Sequence, residues 1–168
     1  MFTIGELVIY STHGICKIDD ICEKNFSGIT RSYYVLRPVD NNNHHLTIST
    51  PVNSDKVVML ELMQKEEANE LLEVFKCPGI KWNDSANARH NIYSKLVNTG
   101  NRKEIVKVVS TLMRRKSEME LLDRKLYEQD RKLLEATQKV LFQELALSLN
   151  TTSAEINNKV TRLIKETD

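Results

Sequence analysis

Cysteine is sparse and odd in number: Cys16, Cys22 and Cys77 stand without the paired spacing of metal ligands. That excludes a disulfide framework and gives no zinc signature, and all three read as free thiols. Adding His13, His44 and His45 does not help, because nothing in the pattern fixes these side chains in one coordination shell. Glycine is scarce too, with five residues. There is no Gly-rich phosphate loop, no nucleophile elbow and no two-histidine zinc motif. Cys16 lies three residues from His13, but on a regular strand two such positions point to opposite faces, so the pair is not read as nucleophile and base. The acidic group Glu66, Glu67 and Glu70 belongs to an exposed helix face. No cofactor, metal or catalytic residue is therefore expected. Long apolar runs are also missing: nothing approaches the roughly 18 residues that a membrane span needs. The opening residues Met1, Phe2, Thr3, Ile4, Gly5 and Glu6 lack a basic region followed by an apolar one, so a cytoplasmic chain with no membrane partner is expected.

What the chain does have is 168 residues with 40% hydrophobic content, enough for one ordinary domain or two small ones. The net charge of +1 conceals an uneven distribution. Residues 1–80 carry 7 basic and 11 acidic side chains, a balance of −4, and residues 117–168 carry 8 and 10, a balance of −2. Between them, residues 81–116 hold 9 basic side chains against Asp84 and Glu104 alone, a balance of +7. The middle of the sequence is a basic island.

Up to about residue 60, β-branched and aromatic residues recur with a period of two, predicting five short strands at 7–10, 15–21, 31–37, 46–50 and 57–60. Turn signals separate them at Ser11-Thr12-His13-Gly14, Asn25-Phe26-Ser27-Gly28 and Asp40-Asn41-Asn42-Asn43. Short strands linked so tightly predict a small Tudor- or SH3-like β barrel over residues 1–62. From there the period becomes helical, predicting an all-α domain over 63–168 and an α+β chain as a whole. Ala68, Leu71, Leu72 and Phe75 form the buried stripe of a helix at 64–76, which Pro78-Gly79 ends. Further helices are predicted at 84–97, then after the turn Asn98-Thr99-Gly100 at 102–116, at 118–148 with a break near Tyr127, and at 153–166. The last should bury Ile156, Val160, Leu163 and Ile164. Capping-box spacing at Ser117/Glu120 and Thr152/Glu155 marks helix starts.

On the third helix, at 100° per residue, Ile105, Val108, Val109 and Leu112 gather on one side while Lys103, Lys107, Ser110 and Arg114 gather on the other. Arg115 and Lys116 extend the charge at its end, and Arg89, Lys95 and Arg102 add to it from preceding segments. Such a stripe serves either as a solvated face that complements the helix dipole or as a phosphate-binding surface. The shortage of acids brings the second level with the first, because carboxylates would cancel the field. The single tryptophan, Trp82, follows Cys77-Pro78-Gly79-Ile80-Lys81 in what should be a loop. It is either a packing anchor or an aromatic wedge for nucleic acid.

Several segments resemble the CarD and CdnL family of bacterial regulators. They are Gly5-Glu6-Leu7-Val8-Ile9-Tyr10 with His13-Gly14, Ser27-Gly28 with Arg31-Ser32-Tyr33-Tyr34-Val35-Leu36, and Leu46-Thr47-Ile48 with Pro51. More telling are Val108-Val109 to Leu112-Met113-Arg114-Arg115-Lys116 and the run Gln143-Glu144-Leu145-Ala146-Leu147. The likeness runs from Ile4 to Leu147. It implies a Tudor-like domain that adds its edge to the β-subunit of RNA polymerase, and a helical domain that touches promoter DNA at the upstream edge of the transcription bubble. On that basis the polymerase contact falls to Lys24 and to Leu46, Thr47, Ile48 and Ser49, with Ser49 standing where the family often has an arginine. Trp82 matches the family's minor-groove wedge. The residues after it, Asn83-Asp84-Ser85-Ala86, are not basic as in some relatives, so phosphate contacts are expected from Arg89, Lys95, Arg102 and the Lys103, Lys107, Arg114, Arg115 and Lys116 face. The resemblance makes the chain a nucleoid-associated, non-enzymatic regulator that steadies the open complex. A monomer is expected, with a strand-swapped dimer as the variant that short strands permit. The competing reading is an adaptor that recruits a helicase or repair factor.

Overall fold

The computed structural model describes residues 1–10, 13–40, 45–56 and 58–167. The chain divides into two compact units, Met1–Leu62 and Met63–Asp168.

The first unit is built on a long hairpin. Ser27 and Gly28 both take positive φ, 52° and 81°. These values suit a two-residue turn whose twist matches that of the strands it joins. The Asn25 side-chain oxygen accepts a hydrogen bond from Gly28 N at 3.1 Å. This turn lets β2 (Gly14–Phe26) and β3 (Ile29–Pro38) pair to their tips, well past the ends predicted for them. Glu23, Lys24 and Asn25 lie on that exposed ribbon, where hydrogen bonding rather than apolar alternation maintains the strand, so periodicity had no signal to offer. β1 (Leu7–Tyr10), β4 (Ile48–Pro51) and β5 (Met59–Glu61) complete one antiparallel sheet in the order β4-β3-β2-β1-β5. Val8, Tyr10, Cys16, Ile18, Tyr34 and Leu36 project inward to form its core. This five-stranded sheet is consistent with the Tudor-like domain expected. The predicted fourth strand is corrected at its start: Leu46 and Thr47 precede β4 and are exposed. Ser11, Thr12, the asparagines 41–43, His44 and Val57 lie outside the described residues.

The second unit is helical: α1 (Lys65–Val74), α2 (Ala86–Asn98), α3 (Arg102–Leu121), α4 (Glu128–Ser148) and α5 (Ser153–Glu166). α3 lies at the centre, packed by α1, α2 and α4. Its buried arc is therefore wider than expected and takes in Val106, Ser110 and Thr111 besides Val108, Val109 and Leu112. Ser110, predicted on the cationic side, is buried because three neighbouring helices leave α3 only a narrow outer strip. The predicted helix start at Ser117 is also corrected, since α3 runs through it to Leu121. The stop comes at Asp123, whose φ of 54° carries the chain into a left-handed turn, with Arg124 N donating to Met119 O at 2.8 Å. The expected break near Tyr127 is where α4 begins. Thr152 caps α5 by accepting from Glu155 N at 3.2 Å. Ala68, Leu71, Leu72 and Phe75, and later Ile156, Val160 and Ile164, are buried, while Leu163 is partly so. Among the described residues no helix is long and apolar enough to cross a membrane.

Candidate nucleic-acid interface

The loop that carries Trp82 is pinned to α3 before it reaches the indole. Gly79 lies so close to Thr111 that an added Cβ would stand 2.0 Å from Thr111 Oγ1. That hydroxyl accepts from Ile80 N at 2.7 Å and donates to Lys107 O at 2.7 Å. Trp82 then emerges half-buried, its ring edge-to-face with Tyr93 at 6.5 Å between centroids. The Cζ atoms of Arg89 and Arg115 lie over the ring at 4.2 and 4.8 Å from its centre. Gly79, Ile80, Trp82, Thr111, Arg114, Arg115 and Glu118 line one open surface depression. The indole is thus neither deep in the interior nor remote from the cations of α3.

Those cations are not equivalent. Arg89 is corrected outright as a phosphate contact: it is 4% exposed and forks onto Asp130, which is 2% exposed. Nε donates to the two carboxylate oxygens at 3.0 and 3.1 Å, and Nη2 donates at 2.5 Å. Donation of these hydrogen bonds to Asp130 raises the Arg89 pKa further, so the guanidinium stays charged. Arg102 is corrected likewise. It donates from Nε and Nη2 to the buried Glu144 at 3.0 and 2.7 Å and reaches Glu67 at 3.5 Å. Both arginines are engaged by acids from distant segments, which local charge counting does not see. Arg114 is half-buried and donates to Phe75 O at 2.8 Å and Thr167 Oγ1 at 2.9 Å, so it ties α3 to neighbouring helices while its flank lines the Trp82 depression. Lys107 pairs with Glu104 at 3.2 Å, and Arg115 with Glu118 at 3.2 Å. Lys95, Lys103 and Lys116 are exposed. So is Lys81, the immediate neighbour of Trp82, which the sequence reading left out although adjacency alone pointed to it. Glu118, just past the predicted end of the third helix, was missed because that helix was closed too early.

In the first unit the structure brings together two of the residues expected to face polymerase. β4 is an edge of the sheet, and Ser49 stands opposite Val35 on its outer face. Lys24 Nζ reaches Ser49 Oγ at 2.8 Å and lies 5.6 Å from the centre of the Tyr33 ring. Leu46 and Thr47 are exposed just ahead of the strand, whereas Ile48 is half-buried and packs against the core. Elsewhere, His13 stacks on Tyr10, and Cys16 is buried with its thiol pushed up to about 11 by the loss of solvent.

Comparison with known proteins bears on both units. A family model described as the CarD-like/TRCF RID domain matches residues 2–63, and one described as CarD, C-terminal domain matches residues 58–161. Among curated proteins, the "Putative transcription factor YdeB" of Bacillus subtilis (strain 168) is 27% identical over 171 residues. That alignment spans 94% of this chain and 99% of the relative.

Proposed function

The chain belongs to the CarD family of transcription factors, and from that premise we propose that it binds the RNA polymerase β-subunit and stabilises the promoter open complex. Members of the family interact with the transcription machinery, and an edge strand is a physically sound way to do so. β4, an edge strand among the described residues, offers backbone donors and acceptors for strand addition, while Lys24, Ser49, Leu46 and Thr47 offer side chains that select the partner. Docking there holds the helical unit near DNA at high local concentration, so modest and sequence-tolerant DNA contacts suffice.

The observation that carries the DNA part of this reading is the depression shared by Trp82, Arg114 and Arg115. An aromatic ring beside guanidinium groups suits a distorted minor groove at the edge of melted DNA, where an apolar side chain takes the place of lost base stacking. Exposed Lys81, Lys95, Lys103 and Lys116, with Lys107, supply phosphate contacts from the Trp82 loop, α2 and α3. Contact with DNA in that distorted shape, stronger than with closed duplex, shifts the equilibrium toward the open complex. Trp82→Ala should shorten open-complex lifetime in a competitor-challenge assay while leaving polymerase binding intact. An unchanged lifetime refutes the wedge.

The adaptor reading draws on one different observation. Leu121, Leu122 and Tyr127 are 87%, 65% and 55% exposed around the α3–α4 connection. Apolar exposure of that kind suits a protein partner. Pull-down after nuclease treatment separates the two readings, since an adaptor keeps its second partner without DNA.

A further inference from the structure

We propose that Arg89, locked onto Asp130, is a positioning residue that holds the indole of Trp82 in place from behind; this rests on the reading of Trp82 as the DNA wedge. Every arm of the Arg89 guanidinium is engaged. Nε and Nη2 serve Asp130, and Nη1 donates to the Asn83 carbonyl at 2.7 Å, one residue beyond the tryptophan. Its Cζ lies over the indole, 4.2 Å from the ring centre. One side chain therefore joins the first turn of α2, the first turn of α4, the loop backbone and the aromatic face. The loop is tightened further by Asn83 Oδ1, which accepts from Ser85 N at 2.9 Å, and Ser85 in turn caps α2.

A buried ion pair is a poor way merely to fill space, because an apolar pair of similar volume avoids the desolvation of two charges. What the pair supplies is directional geometry. A planar fork meets a carboxylate edge, a backbone carbonyl and a ring face in fixed directions; a lysine ammonium has three donors but neither the bidentate fork nor a flat face. Arg115 makes the contrast plain. It too lies over the indole, but its side chain is 39% exposed and its ionic partner Glu118 is 62% exposed, against 5% and 3% for Arg89 and Asp130. Arg115 can leave the ring for a phosphate. Arg89 stays behind as an immobile backing.

The chain has a single tryptophan, so intrinsic fluorescence reports on this ring alone. Arg89→Lys keeps a cation beside Asp130 but loses the fork, and the double variant Arg89→Met/Asp130→Leu removes both charges so that no orphaned ion remains to unfold the protein. With helix content unchanged by far-UV circular dichroism, indole emission should shift to the red and acrylamide quenching should rise about two- to fivefold, the scale of one lost cation–π contact. Unchanged emission and quenching in the folded double variant would overturn the proposal, leaving the ring held by Tyr93, Arg115 and the helical core. Open-complex lifetime measured on the same variants and on Trp82→Ala separates the two ideas. If Trp82→Ala shortens the lifetime and the folded Arg89 variants do not, the positioning role fails while the wedge stands. If quenching rises but Trp82→Ala leaves the lifetime unaltered, the positioning role stands and the wedge fails.

Discussion

Arg89 and Arg115 approach the same indole under different constraints, and the difference comes from their acids. Asp130 is buried and leaves Arg89 no freedom, whereas Glu118 is solvated and holds Arg115 weakly, since exposed pairs contribute about 0–1 kcal/mol. Glu118 also sets a negative charge on the rim of the depression where phosphates would approach. Glu118→Gln should therefore tighten binding to a promoter fragment by about two- to fivefold at low salt, with the gain fading as salt screens it. Titration at two ionic strengths checks this, and weaker binding by the variant would mean that Arg115 needs its partner to be held over the ring. Nothing about this pair of arginines was readable from local charge. The basic island is real as composition, but Arg89 and Arg102 are withdrawn from it by Asp130, Glu144 and Glu67, which lie 41, 42 and 35 residues away along the chain.

At the scale of the element, α3 is both the core helix of its unit and the carrier of the cationic strip. Three helices pack on it, so the outer strip that holds Lys103, Lys107 and Arg114 is narrow, and those residues spread along about 16 Å of axis. The Trp82 loop reaches that strip only because Gly79 allows close backbone approach to Thr111. In Gly79→Ala the new methyl would meet Thr111 Cα at 3.1 Å as well as Oγ1 at 2.0 Å, so rotation of the threonine side chain cannot relieve it. A loss of about 1–3 kcal/mol is expected, seen as a lower denaturant midpoint with altered Trp82 fluorescence. An unchanged midpoint would show that the loop is not pinned there. Strand and helix identity were legible because apolar periodicity is a local property, as the stripe from Ala68 to Phe75 shows. The α3 end was not, because Ser117 and Glu120 have capping spacing inside a helix that nothing interrupts until Asp123 turns the chain.

At the scale of the whole molecule, each unit has its own hydrophobic core, one around Val8, Tyr34 and Leu36 and the other around Phe75, Leu112 and Leu145. Residues 63–168 expressed alone should therefore fold and keep the Trp82 emission of the full chain, while their effect on the open complex should need far higher concentrations for want of the tether. Cooperative unfolding with full-chain emission would support this; a molten fragment would refute it. The likeness to the CarD family, the succession of a small sheet and five helices, and the presence of an aromatic residue within a basic segment all follow from the order of residues along the chain. They depend on neighbours a few positions apart, which a linear reading captures. Which cations face solvent, what stands behind the indole, and how Lys24 meets Ser49 follow from packing, because each depends on partners brought together across tens of residues by the burial of apolar faces elsewhere.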